Sequence, residues 1–141
     1  MNLYINSTVK PNPPLNLTVD SKSSRVVNIS WIAGFDGNST IHNYTVKISP
    51  DNQEFKDAVC QGSNSKSSCV VFSTSASFEN LSPSTKYNFK VFARNMVGIS
   101  DGSSVVNVTT DEEGALLYKF IYIHTYVHKL SFWSVKKFSW K

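Results

Sequence analysis

Helix-forming residues are scarce in this chain: Ala, Leu, Glu and Gln are few, while Ser, Thr, Asn and Val dominate. That balance disfavours a helical bundle and favours an all-β chain. Signatures of chemistry are missing too. There is no Gly-rich phosphate loop, no His-Glu-x-x-His, no Gly-x-Ser-x-Gly and no closely paired carboxylates inside a strand-to-loop context, so the readily recognised catalytic and nucleotide-binding arrangements are excluded. The first 114 residues hold one histidine, His42, expected to be a solvated residue beside a strand rather than a base. No catalytic, cofactor-binding or metal residue is assigned, no cofactor is implied, and the chain is not expected to be an enzyme. Residues 1–8, Met-Asn-Leu-Tyr-Ile-Asn-Ser-Thr, have neither the basic nor the apolar region of a secretory leader. If the protein works outside the cell, the chain is expected to be a fragment, or its true start lies upstream.

With 141 residues there is room for one ordinary domain and a remainder. The charge divides the same way. Residues 1–114 carry nine Lys and Arg against ten Asp and Glu, whereas residues 115–141 carry five lysines and no acid. The basic balance therefore belongs to the tail and gives no reason to expect the domain to bind nucleic acid.

What is present is alternation with a period of two. Leu15, Leu17 and Val19 fall on one face of a run, and Val27, Ile29 and Trp31 on one face of the next. Tyr44, Val46 and Ile48 repeat the pattern, followed by Ala76 with Phe78, by Tyr87, Phe89, Val91 and Ala93, and by Val106 with Val108. Turn residues punctuate these runs at 34–38, 49–52, 62–65 and 101–102. About seven short strands over roughly 100 residues imply two packed antiparallel sheets.

The details resemble a fibronectin type III domain over about residues 13–110. The likeness rests on Pro14, on Trp31, on Ile41-His-Asn-Tyr44-Thr-Val46, and above all on Leu81-Ser-Pro83-Ser-Thr85-Lys-Tyr87. Alternating apolar residues then run to Ala93-Arg-Asn95, with Gly98 and Ser100 after them. The resemblance implies an immunoglobulin-like seven-stranded sandwich, in which Trp31, Tyr44, Leu81, Pro83 and Tyr87 are structural. Tyr87 is expected to reach back through its hydroxyl to a backbone group a few residues upstream. Two departures stand out. Ala33-Gly34 replace a proline common after the tryptophan, and the segment from Ser49 to Ser75 is long and carries both cysteines.

Seven Asn-x-Ser/Thr triplets are present, at Asn6, Asn16, Asn28, Asn38, Asn43, Asn80 and Asn107. With 13 Asn and 31 Ser plus Thr, roughly three would arise by chance. Asn16, Asn28, Asn43 and Asn107 fall opposite the apolar residues of their own strands, Asn6 and Asn38 in loops, and Asn80 at a strand end. All seven are candidate glycosylation sites, although outward strand positions are polar in any case. Cys60 and Cys69 bracket a polar loop; they are either a disulfide closing a hairpin or two inert thiols. With no Cys-x-x-Cys pair and no nearby histidine they do not read as a metal site or a nucleophile.

Binding by such a sandwich uses loops at one end or an exposed face. Phe35, in the Gly34–Gly37 turn, and Asp101, in the loop 95–104, are the candidate protein-binding residues, although Asp-Gly is first a turn dipeptide. Phe92 points outward and is expected to lie under the long 49–75 segment.

After Gly114 the composition changes. Residues 115–141 hold Tyr118, Phe120, Tyr122, Tyr126, Phe132, Trp133, Phe138 and Trp140 among lysines. The longest run free of Lys, Arg, Asp and Glu has nine residues, too short for the ~20 of a membrane span. Contact with an anionic membrane surface is the remaining lipid reading. The expected organisation is a lead-in at 1–12, the domain at 13–111, and an unpatterned tail at 112–141 outside it. The expected role is a non-enzymatic extracellular spacer and contact module of an adhesion molecule or receptor ectodomain. Its partners would be neighbouring modules and cell-surface proteins. The alternatives are an accessory module of a secreted enzyme, or an intracellular scaffold module.

Overall fold

Val27, Ile29 and Trp31 are buried while Asn28 and Ser30 between them are not, the signature of a strand with one face on a core. The same logic generates eight strands in the computed structural model, which describes residues 7–51, 53–114 and 121–125. They are β1 (Leu15–Lys22), β2 (Val27–Ile32), β3 (Asn43–Pro50), β4 (Lys56–Asp57), β5 (Cys69–Val71), β6 (Ser75–Phe78), β7 (Lys86–Arg94) and β8 (Val106–Thr109). One sheet has the order β1-β2-β6; the other runs β4-β3-β7-β8, with β5 also on β3. All pairings are antiparallel.

The protein is thus an all-β sandwich of immunoglobulin-like type, with eight strands where seven are expected. The extra one arises because a single edge is made of two pieces. β4 pairs with Lys47 and Ile48, and β5 with Tyr44 to Val46. Between the pieces lies the loop closed by the Cys60–Cys69 disulfide, S–S 1.98 Å.

The two sheets meet through side chains of large apolar area. Phe78 and Phe89 are almost fully buried, with ring centroids 5.1 Å apart. Trp31 meets Tyr44 edge-on at 5.4 Å. Such pairs add about 0.5–1.5 kcal/mol beyond their area burial. The Trp31 Nε1–H is buried without an acceptor among the described residues, so packing is what the indole contributes. Burial also pushes the Tyr44 phenol above its ordinary pKa, because the anion would lose hydration.

Leu15 departs from the alternation: it is 55% exposed, while Leu17 is buried. The β1–β2 register shifts between Leu15 and Thr18, and Asn16 there has φ 49°. A bulge turns the side chain before it to the other face.

β8 begins only at Val106, yet β7 is not left open upstream. Ser103 N–H donates to the Val91 carbonyl (2.8 Å), and Val91 N–H donates to Ser103 Oγ (3.0 Å). Ser100 makes the same pair with Ala93, at 2.8 and 2.9 Å. Buried hydroxyls thereby stand in for missing strand carbonyls, satisfying groups that cannot be left bare.

The Leu81–Tyr87 stretch is held from two directions. Ser82 N–H donates to Tyr87 Oη at 3.0 Å. Thr110 Oγ1 donates to the Ser82 carbonyl (2.7 Å) and accepts from Thr85 N–H (2.9 Å). Leu81 is buried, and its N–H donates to the Arg25 carbonyl at 3.1 Å.

By contacts the chain divides into two units, Met1–Asp111 and Glu112–Lys141. Residues 121–125 of the second are helical, with Thr125 Oγ1 donating to the Ile121 carbonyl at 2.7 Å. No helix among the described residues is long and apolar enough to cross a membrane. The expectation of an unpatterned tail falls almost wholly outside the described residues.

Candidate functional site

The loop joining β2 to β3 and the loop joining β7 to β8 meet the segment leading into β1. Antiparallel topology brings them together, since β2 ends, β3 starts and β7 ends at the same pole. Val9 N–H donates to the Gly37 carbonyl (2.9 Å) and Asn12 N–H to the Phe35 carbonyl (2.8 Å). Pro11 and Pro14 are fully buried. The ordered contacts of the sandwich thus begin upstream of residue 13, where the sequence places the domain boundary.

Glycine makes this approach feasible. A Cβ on Gly34 would sit 2.5 Å from the Pro13 carbonyl oxygen, and Gly37 has φ 73° with the Val9 and Lys10 carbonyls against it.

At the centre is Asn95, only 3% exposed. Its Nδ2 donates to the carbonyls of Val9 (2.7 Å) and Asp36 (2.8 Å). Its Oδ1 accepts from the N–H groups of Val97 (2.9 Å) and Gly98 (3.0 Å). In the sequence Asn95 is only the end of the Ala93-Arg-Asn95 motif and carries no evident role. An Asn two and three residues before amides of a tight turn is the local signal that points to it.

Around this hub Val9, Phe35, Met96, Val97 and Ile99 are all exposed, Phe35 at 54%. Asp101 also lies at this pole, and its carboxylate is in an exposed ion pair with Lys10 Nζ at 3.0 Å. Phe35 and Asp101 thus come to the same end of the sandwich on different loops. Gly102 does not adopt a positive φ. A Cβ there would lie 2.5 Å from Lys90 Cδ and 3.0 Å from Phe92 Cε1. Asp101-Gly102 is therefore a close approach over β7 rather than a turn that needs left-handed backbone. The same contact puts the β7–β8 loop against Phe92. From the long 49–75 segment, the Phe55 ring lies with its centroid 5.2 Å from the ammonium of the nearby Lys90.

Of the triplet asparagines, Asn16, Asn38, Asn80 and Asn107 are exposed, and Asn28 and Asn43 half-buried. Asn6 lies outside the described residues. Asn28 Nδ2 donates to Ser21 Oγ at 2.8 Å, and Asn38 Nδ2 to the Ser7 carbonyl at 3.3 Å. Asn16, Asn38 and Asn80 all occupy left-handed backbone, at φ 49°, 57° and 57°. An open groove of about 580 Å³ runs beside β6, between Gln61 and Gly62 of the disulfide loop and Phe72, which is 67% exposed. No group of three His, Cys, Asp or Glu able to hold a metal occurs among the described residues. The tail's two histidines, His124 and His128, have the i, i+4 spacing of a helical turn but no further ligand beside them in the sequence; His124 lies in the helical residues 121–125, and His128 is outside those described.

Residues 12–109 match the family model described as Fibronectin type III domain. Cell adhesion molecule Dscam1 of Drosophila melanogaster is 36% identical over 104 residues, covering 73% of this chain and 5% of its own length. Contactin-1a of Danio rerio is 33% identical over 105 residues, 73% of this chain and 10% of its own. In three dimensions a titin fragment, domains A168 to A170, superposes with TM-score 0.62 at 27% identity over 73% of this chain and 33% of the fragment. The chain thus spans a small part of the relatives it matches, and it is similar to modules of cell adhesion molecules. Together with the sandwich, the family match over residues 12–109 places this chain in the fibronectin type III domain family.

Proposed function

We propose that the chain is a non-enzymatic extracellular module of a larger adhesion molecule or cell-surface receptor. It acts as a spacer and a protein-contact surface in a string of domains. The similarity to Dscam1 and Contactin-1a carries this reading. The module is the sandwich of residues 13–111, with the lead-in from Val9 bonded onto it and 112–141 outside it. Its partners are neighbouring modules and cell-surface proteins rather than nucleic acid. Contact is made through loop residues such as Phe35 and Asp101 on a rigid sandwich, and glycans on the triplet asparagines keep the strand faces soluble. A disulfide at Cys60–Cys69 accords with an oxidising compartment.

Protein made in a secretory host tests this by intact mass before and after glycosidase and reduction. The expected result is a mass that falls on glycosidase treatment, with no thiol alkylated until reductant is added. A glycan-free product with two alkylatable cysteines overturns the extracellular reading. The likeness to titin favours the second reading, an intracellular scaffold module, which gives that opposite result.

A further inference from the structure

We propose that Asn95 is a lock that couples the direction in which the chain enters the module to the conformation of its β2–β3 and β7–β8 loops. The proposal stands on geometry and does not depend on a role in adhesion.

The amide side chain has two N–H donors and a carbonyl with two lone pairs, and all four are engaged. The donors bind Val9 and Asp36, which lie 86 and 59 residues away in sequence. The acceptor closes the turn at Val97 and Gly98. The orientation of the amide is fixed by the network, since a flip would set oxygen against two carbonyls and N–H against two amides. Asn95 is also buried, so the carbonyls and amides it serves cannot be handed to water without opening the pole.

Nothing else in the described residues joins all three segments through one side chain. The Lys10–Asp101 pair is its exposed neighbour, with side chains 53% and 81% accessible, and such pairs contribute little. Residues 9–12 are bonded directly to the β2–β3 loop at Gly37 and Phe35, and Asn95 is the side chain that ties this pair of segments to the β7–β8 turn. A partner that displaces Asn95 with the turn loosens the chain upstream of β1. A partner that seats on the closed turn holds that chain at a fixed angle.

Amide hydrogen exchange followed by NMR tests the lock on the whole chain. In the wild type, the Val9 and Asn12 amides are protected by about tenfold or more over free chain. In Asn95→Asp, the turn keeps its acceptor, but a carboxylate oxygen faces the Val9 and Asp36 carbonyls. Protection at Val9 and Asn12 is then lost by about tenfold or more, with Val97, Gly98 and the core amide of Ile29 unchanged. In Asn95→Ala, Val97 and Gly98 lose protection as well. Lys10→Ala leaves all of these amides as they were. Rapid exchange at Val9 and Asn12 in the wild type overturns the lock, and so does unchanged protection there in both Asn95 variants. Should a variant lose Ile29 protection too, the wild-type pattern and Lys10→Ala decide the matter.

Discussion

Replacing Tyr87 by Phe removes one oxygen and leaves the ring in its buried place. That oxygen accepts the Ser82 N–H at 3.0 Å. A hydrogen bond of this kind contributes about 0.5–1.5 kcal/mol net. Ser82 itself is exposed, so water recovers part of the loss once the loop shifts, which argues for the lower half of that range. Against this, Ser84 in the same loop holds φ 48°, a conformation that persists only while its surroundings impose it. Thr110 Oγ1, bonded to the Ser82 carbonyl at 2.7 Å, is the other constraint on the loop. The two effects together give an expected loss of about 1 kcal/mol. In urea unfolding followed by circular dichroism, this lowers the midpoint by about 0.5 M at an unchanged m of roughly 2 kcal/mol/M. Thr110→Val shares the loop, so the double variant is expected to depart from additivity by about 0.5 kcal/mol or more. A midpoint that does not move in Tyr87→Phe refutes the reasoning, as does strict additivity with Thr110→Val.

Three further outcomes follow from the structure. Ser103→Ala leaves the buried Val91 N–H without its acceptor and is expected to cost about 1–3 kcal/mol, whereas the exposed Ser104→Ala stays within about 0.5 in the same urea assay. Reducing the Cys60–Cys69 bridge, which joins positions nine apart, is expected to lower stability by about 2.5–3 kcal/mol on the chain-entropy account, read as a drop in midpoint with reductant. Tyr44 has its pKa raised by burial, so the folded state favours the neutral phenol. Its contribution is complete below the unfolded value near 10 and is lost as pH rises through the folded one. Urea midpoints from about pH 9 to about 11 are expected to fall more steeply in the wild type than in Tyr44→Phe; equal slopes refute the assignment.

Much of the sandwich is legible because a buried strand face leaves a period of two in the sequence, and β2 and β7 show it without interruption. Leu15 fits the same period and is nonetheless exposed, since a bulge is a property of backbone register and not of residue type. The split of one edge into β4 and β5 is hidden for a related reason: two- and three-residue strands carry too few alternations to be recognised. Ser100 and Ser103 read as loop residues because a hydroxyl that replaces a backbone carbonyl looks like any other polar side chain. The sequence sets Phe35 and Asp101 on two separate loops, and the fold brings both to one pole. The role of Asn95 there is not legible, because the carbonyls its Nδ2 binds are distant in sequence and are backbone atoms, which leave no mark on residue identity.

The left-handed backbone at Asn16, Asn38 and Asn80 changes how sugar attachment has to be probed. Asparagine tolerates that conformation better than most residues that carry a Cβ, so these positions have a reason to be Asn that involves no glycan. The same conformation means that Asn→Gln, the usual deletion, would strain the chain at the moment it removes the sugar. A secretion defect in such a variant would then be a folding defect read as a missing glycan. Altering the third residue of the triplet separates the two. Thr40→Val and Ser82→Ala abolish the acceptor sequences at Asn38 and Asn80 while leaving their backbone residue in place. Neither hydroxyl bonds anything among the described residues, which makes these two the informative changes.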